Sequence, residues 1–110
     1  MAKKIRERII PGSGNVFADM DLPDAAELDT KARLGAAICR IVERRRLTQI
    51  EVAATLGINQ PKVSALLHFK LEGFSVERLM RFLTALGHDV EIVIRPRPRA
   101  RSARLAVRAA

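Results

Sequence analysis

The sequence predicts an all-α domain: a bundle of four to five helices followed by one short C-terminal β-strand, paired across a dimer. Three observations carry this expectation. Apolar residues recur at helical spacing through most of the chain between residues 21 and 87. In the middle, "LTQIEVAATLGINQPKVSALL" reads as two short helices separated by a Gly-containing turn. Only "HDVEIVIRP" alternates with the period of a strand.

The bulk properties narrow the possibilities. A chain of 110 residues, 48% of them apolar, supplies one small core and a tail. Its aromatics are Phe17, Phe69, Phe74 and Phe82 alone, too few for the stacking platforms that hold single-stranded nucleic acid. Cys39 has no second cysteine to pair with, which excludes an internal disulfide or a cysteine-based metal cluster and suits a reducing compartment. The basic opening "MAKKIRERII" reaches Pro11 without an apolar signal stretch, and no run approaches the length of a membrane helix. A soluble, cytoplasmic protein with no membrane association is expected.

Charge is unevenly spread. The net charge is +8, and the last sixteen residues contribute Arg95, Arg97, Arg99, Arg101, Arg104 and Arg108 with no acid. Setting those six aside leaves only +2 for residues 1–94. Such a tail suits a polyanion, nucleic acid before membrane, although a merely solubilising end has the same composition.

Residues 1–14 form an N-terminal segment, flexible or strand, that ends in the breaker "PGSG". Residues 15–87 are the expected helical domain. Its first helix is drawn through "DLPDAAELDTKARLGAAICRIVERRR", with Asp21 as a cap, Pro23 in the first turn, and Asp24 and Glu27 at the positive end of the dipole. Leu28, Ala32, Gly35, Ile38, Cys39 and Val42 make its apolar stripe, and Arg44, Arg45 and Arg46 close it. Cys39 lies in that stripe, as a core residue would.

Thr48 is a good cap for "QIEVAATL", in which Val52 and Leu56 face the core and Ala53 admits a close neighbour. Gly57 can take the left-handed conformation that turns the chain, and Ile58 fills the turn. Asn59 caps "QPKVSALLHF", where Pro61 costs nothing because first-turn amides have no partner within the helix. Val63, Leu66 and Leu67 anchor that second helix from one side. Two short helices at a tight turn make a helix-turn-helix. Ser75 caps a last helix whose stripe is Val76, Leu79, Met80, Leu83 and Leu86, with Gly87 just past its end. In residues 88–96, Val90, Ile92 and Ile94 share one face of a strand. A lone strand leaves its backbone groups unpaired, so either "IRERII" or the same strand of a second chain must complete it; a two-fold pair is the expectation. Residues 97–110 are an Arg-rich, disordered tail.

The run "TQIEVAATLGINQPKVS" resembles the lambda-repressor/Cro type of DNA-binding domain, the XRE class of regulators. The wider run from residue 12 to 96 is similar to a narrower subgroup, the HigA-type antitoxins encoded beside a RelE/HigB-like toxin. The resemblance implies a transcriptional repressor that binds an inverted-repeat operator in double-stranded DNA as a homodimer. It also implies a toxin partner whose neutralisation accompanies autoregulation; a stand-alone repressor is the alternative. In this family the second helix enters the major groove. Carried over, Gln49 bonds a phosphate and braces Gln60, and Gln60 reads a base edge, as an amide can with adenine. Pro61 and Ala65 point into the groove, where they can offer only apolar contact. Lys62 reaches a guanine or a phosphate, and Thr48, Asn59, Ser64 and His68 complete the DNA-facing set along the backbone. Residues 15–28, acidic and apolar, are the candidate surface for the toxin.

No nucleophile stands with a base, and neither paired catalytic carboxylates nor a metal-ligand spacing occurs around His68 or His88. An enzyme is excluded on these grounds, and no cofactor is expected.

Overall fold

Four helices account for the regular structure in the computed structural model, which describes residues 21–109: α1 (Asp21–Arg45), α2 (Gln49–Leu56), α3 (Gln60–Leu67) and α4 (Val76–Ala85). Packing is mainly α1 on α4 and α2 on α3, and α3 also meets α1 while α2 meets α4. The core draws Leu34, Ile38, Ile41 and Val42 from α1, Val52 from α2, and Val63 and Leu66 from α3. Leu71 and Phe74 come from the α3–α4 connection, and Leu79, Phe82, Leu83 and Leu86 from α4 and its end.

The stripe expected on α1 is displaced. Gly35, Ile38 and Val42 are buried, but Leu28 is 62% exposed, Ala32 is exposed and Cys39 is half-buried. Two apolar registers overlap on this helix, and α4 covers the one running through Leu34, Ile38 and Ile41. Burial begins at Thr30, whose hydroxyl donates to the Ala26 carbonyl at 2.9 Å. Asp21, expected as the cap, is the first residue of α1, and the structure describes the backbone but not the side chains of residues 21–24. Gly35 matters for a steric reason: an added Cβ would stand 3.2 Å from Leu71 Cδ1 and 3.4 Å from Phe69 Cε1. Its bareness lets the α3–α4 connection lie against α1.

All four helices end in the same way. In each, the chain turns through a left-handed residue, and the next amide bonds back to the last turn. Gly87 (φ 86) bonds to Thr84 O at 2.9 Å and His88 to Leu83 O at 3.0 Å. Gly57 (φ 70) and Ile58 both bond to Ala53 O. The other two left-handed positions hold Arg46 (φ 54) and Phe69 (φ 60), followed by Leu47 N–H to Val42 O at 3.0 Å and Lys70 N–H to Ala65 O at 2.8 Å. The Arg45 guanidinium lies beside Gly87, where a Cβ would be 3.6 Å from Nη2. A cation thus sits at the negative end of α4.

The single chain shows no C-terminal strand. Residues 88–98 carry no regular secondary structure, and Val90, Ile92 and Ile94 are all exposed, at 36%, 71% and 90%. The physical reason is the one that made a lone strand implausible: within one chain, no described segment offers its backbone a ladder. The competing partner "IRERII" lies outside the described residues. Further on, Arg101 N–H reaches Pro98 O at 3.4 Å in a turn, and Val107 comes back to rest half-buried against the core. No helix among the described residues is long and apolar enough to cross a membrane.

Candidate nucleic-acid interface

The turn between α2 and α3 is built from two side-chain caps. Thr48 Oγ1 accepts from Glu51 N–H at 3.1 Å, and Glu51 Oε1 accepts in return from Thr48 N–H at 2.8 Å, a reciprocal capping box. Asn59 Oδ1 accepts from Lys62 N–H at 2.9 Å. Both caps act as acceptors, so the Thr48 hydroxyl proton and the Asn59 amide protons stay free to donate outward. Those are the groups a phosphate oxygen can use.

Behind this surface α3 is held firmly, with Val63 and Leu66 fully buried. In front, Gln60, Pro61 and Lys62 are exposed, as are Thr48, Gln49 and Asn59. The expected set therefore gathers at the starts of α2 and α3, with four departures. Among the described residues no hydrogen bond joins Gln49 to Gln60. Ala65, expected to face away from the core, is half-buried against it; Ser64 is half-buried as well. The His68 ring folds back on its own helix, Nδ1 donating to Ser64 O at 2.8 Å. The carbonyl can only accept, so Nδ1 carries the proton and Nε2 is left outward.

Lys62 is the fourth departure. Its Nζ stands 5.7 Å from the centroid of the Phe74 ring. Arg78, in the first turn of α4, shares that ring at 5.7 Å and also covers Phe82 at 5.6 Å. Arg78 is the residue that sequence reasoning missed. A cation in the first turn of a helix opposes the dipole, and that anomaly was the available signal.

Cys39 has no place in this surface. Its Sγ lies 3.9 Å from Leu67 O, and burial, helped by the Glu43 carboxylate, pushes the thiol above its ordinary range. Such a thiol is inert packing. Among the described residues no group of three or more His, Cys, Asp or Glu could hold a metal ion.

Comparison with known proteins agrees with this geometry. A family described as "Helix-turn-helix domain" matches residues 16–95. A solved structure assigned to the XRE family of transcriptional regulators is similar at 62% identity, with a TM-score of 0.78, covering 80% of this chain and 100% of the other. The curated proteins yield no match. With two capped short helices, a bare first turn on the second, and this match over most of its length, the chain belongs to the helix-turn-helix family, as a non-enzymatic DNA-binding transcriptional regulator of the XRE type.

Proposed function

We propose that the chain is a sequence-specific repressor that acts as a homodimer, with α3 of each protomer in the major groove of an inverted-repeat operator. One observation supports this most: α3 is clamped from behind by fully buried Val63 and Leu66 while its first turn, Gln60 to Lys62, is bare. A helix so mounted can enter a groove without rearrangement.

On this reading Gln60 pairs with an adenine edge, and Gln49 bonds a phosphate from the start of α2. Pro61, with the methyl of Ala65 at the margin, meets a thymine methyl. Lys62 reaches a phosphate or a guanine, and Thr48, Asn59, Ser64 and the Nε2 side of His68 follow the backbone. The division of the chain assigns residues 15–87 to DNA, 88–96 to pairing and 97–110 to an accessory basic arm, in the cytoplasm. The pairing is supported by the exposed Val90, Ile92 and Ile94, which an antiparallel copy would cover while satisfying the idle backbone.

The test is Gln60→Ala. On a duplex obtained by selection, the change costs about 1–3 kcal/mol if the contact is bidentate, and it leaves random-sequence binding nearly as it was. Equal loss on both duplexes contradicts base reading.

The finer role is antitoxin of a RelE/HigB-like toxin. The likeness of the sequence to HigA-type proteins supports it, as does Leu28, 62% exposed on the acidic first turns of α1. Glu27 and Asp29 there are already engaged by Lys31 at 3.7 Å and Arg33 at 2.9 Å, which weakens the charge argument for a basic toxin. A neighbouring reading frame for a small basic RelE-like protein discriminates between this role and a stand-alone repressor.

A further inference from the structure

We infer that Lys62 and Arg78, gathered around the Phe74 ring, form a subsite for a backbone phosphate of duplex DNA, which extends the interface from α3 onto the first turn of α4. The inference rests on the proposal that α3 faces DNA, and it adds a residue to which that proposal gives no role.

The construction begins with the ring. Phe74 is 3% exposed and stands edge-on to Phe82, with centroids 5.8 Å apart and planes at 74°. Packed in this way, the ring is a fixed plate at the rim of the core. Lys62 Nζ and Arg78 Cζ each lie 5.7 Å from its centroid, one from α3 and one from α4. Arg78 is further fixed by Phe82 at 5.6 Å. Both long side chains are therefore held against the same ring by its quadrupole.

That place is electrostatically uncomfortable without a ligand. Each cation is in the first turn of its own helix, where the dipole is positive and acids are the favoured residues. Among the described residues neither Lys62 nor Arg78 is in an ion pair, and Glu77, the acid beside Arg78, is engaged by Arg81 at 2.9 Å. Two cations, each at the start of a helix, thus border one ring, and among the described residues no carboxylate is bound to either. A phosphodiester at the rim of this ring supplies the missing counter-charge, and the planar guanidinium can grip it through two hydrogen bonds.

The position selects the source of the phosphate. Lys62 shares the exposed first turn of α3 with Gln60, so a duplex whose base edges reach Gln60 brings its backbone close to that turn. Arg78 then acts as a sequence-independent clamp and sets how deep α3 sits.

The experiment titrates salt against the affinity of the full chain for a random-sequence duplex, comparing wild type, Arg78→Gln, Arg78→Lys and Lys62→Gln. Each lost phosphate contact makes the log–log slope shallower by about one per protomer. At about 0.15 M salt the dissociation constant rises about fivefold per protomer, since each contact contributes salt to a power of about 0.9. Arg78→Lys recovers most of the slope, which a packing role for the guanidinium does not explain. Should Arg78→Gln fail to fold by thermal melting, Lys62→Gln carries the same expectation. A folded variant with the wild-type slope overturns the subsite, whatever happens to the affinity. If Gln60→Ala still discriminates between duplexes in that case, the groove reading stands without it; if wild type binds no duplex, both fall.

Discussion

At Gly57 the backbone turns through φ 70, and a Cβ added there would meet nothing within 4 Å. The cost of a side chain at this position is therefore purely conformational. Gly57→Ala should lower the unfolding free energy by about 1–2 kcal/mol in denaturant melts, while the angle between α2 and α3, and hence DNA binding by the folded fraction, persists. A cost well above this would mean that the turn is packed more tightly than the structure shows. Gly35 is the opposite case, since its conformation is ordinary helix and the obstacle is Leu71 at 3.2 Å. Thr48, Asn59, Ser75 and Gly57 were legible in the sequence because each is chemically suited to one local task, capping or turning. Arg46 and Phe69 were not, although they turn the chain as Gly57 does. Nothing about an arginine or a phenylalanine announces a left-handed backbone, which tertiary packing, here Phe69 against Gly35, imposes. The same holds for Lys62: its exposure was legible, but its attachment to Phe74 required knowing where the α3–α4 connection folds.

Among the elements, the short helices were legible through their caps, and α4 through its stripe, save for Phe82, which is buried at 4% but falls between the expected stripe positions. On α1 the periodicity supported two registers, and only α4 could decide between them. The strand is not shown in the single chain, for a different reason. Alternation of Val90, Ile92 and Ile94 describes side chains, whereas a strand exists only through partners for its backbone, which one chain does not provide. In the Arg-rich tail, expected as disordered, Val107 packs against the core, so Arg97, Arg99, Arg101 and Arg104 lie on an excursion between two segments that meet the body. On the proposed function these arginines add affinity that is blind to sequence. Deleting residues 96–110 should weaken binding to every duplex alike and flatten the salt dependence, by about 0.9 for each phosphate contact removed. Unchanged slopes in a salt titration of the truncated chain would remove the tail from the interface.

For the whole molecule, one recognition helix per chain is a weak reader, and on the proposed function specificity comes from doubling it. The proposed two-fold pair would place two copies of α3 about 34–36 Å apart, one turn of duplex, and so write its symmetry into the operator. The exposed segment carrying Ile92 and Ile94 is the proposed source of that symmetry, and it is also the segment left idle in the single chain. Fold, capped turn and outward first turn of α3 thus converge on a single claim: that this surface reads base edges in duplex DNA. Selection of bound duplexes from a fully random library tests it most directly. The account predicts enrichment of an inverted repeat whose half-sites are centred about one helical turn apart; recovery of no preferred sequence by the intact chain would contradict it.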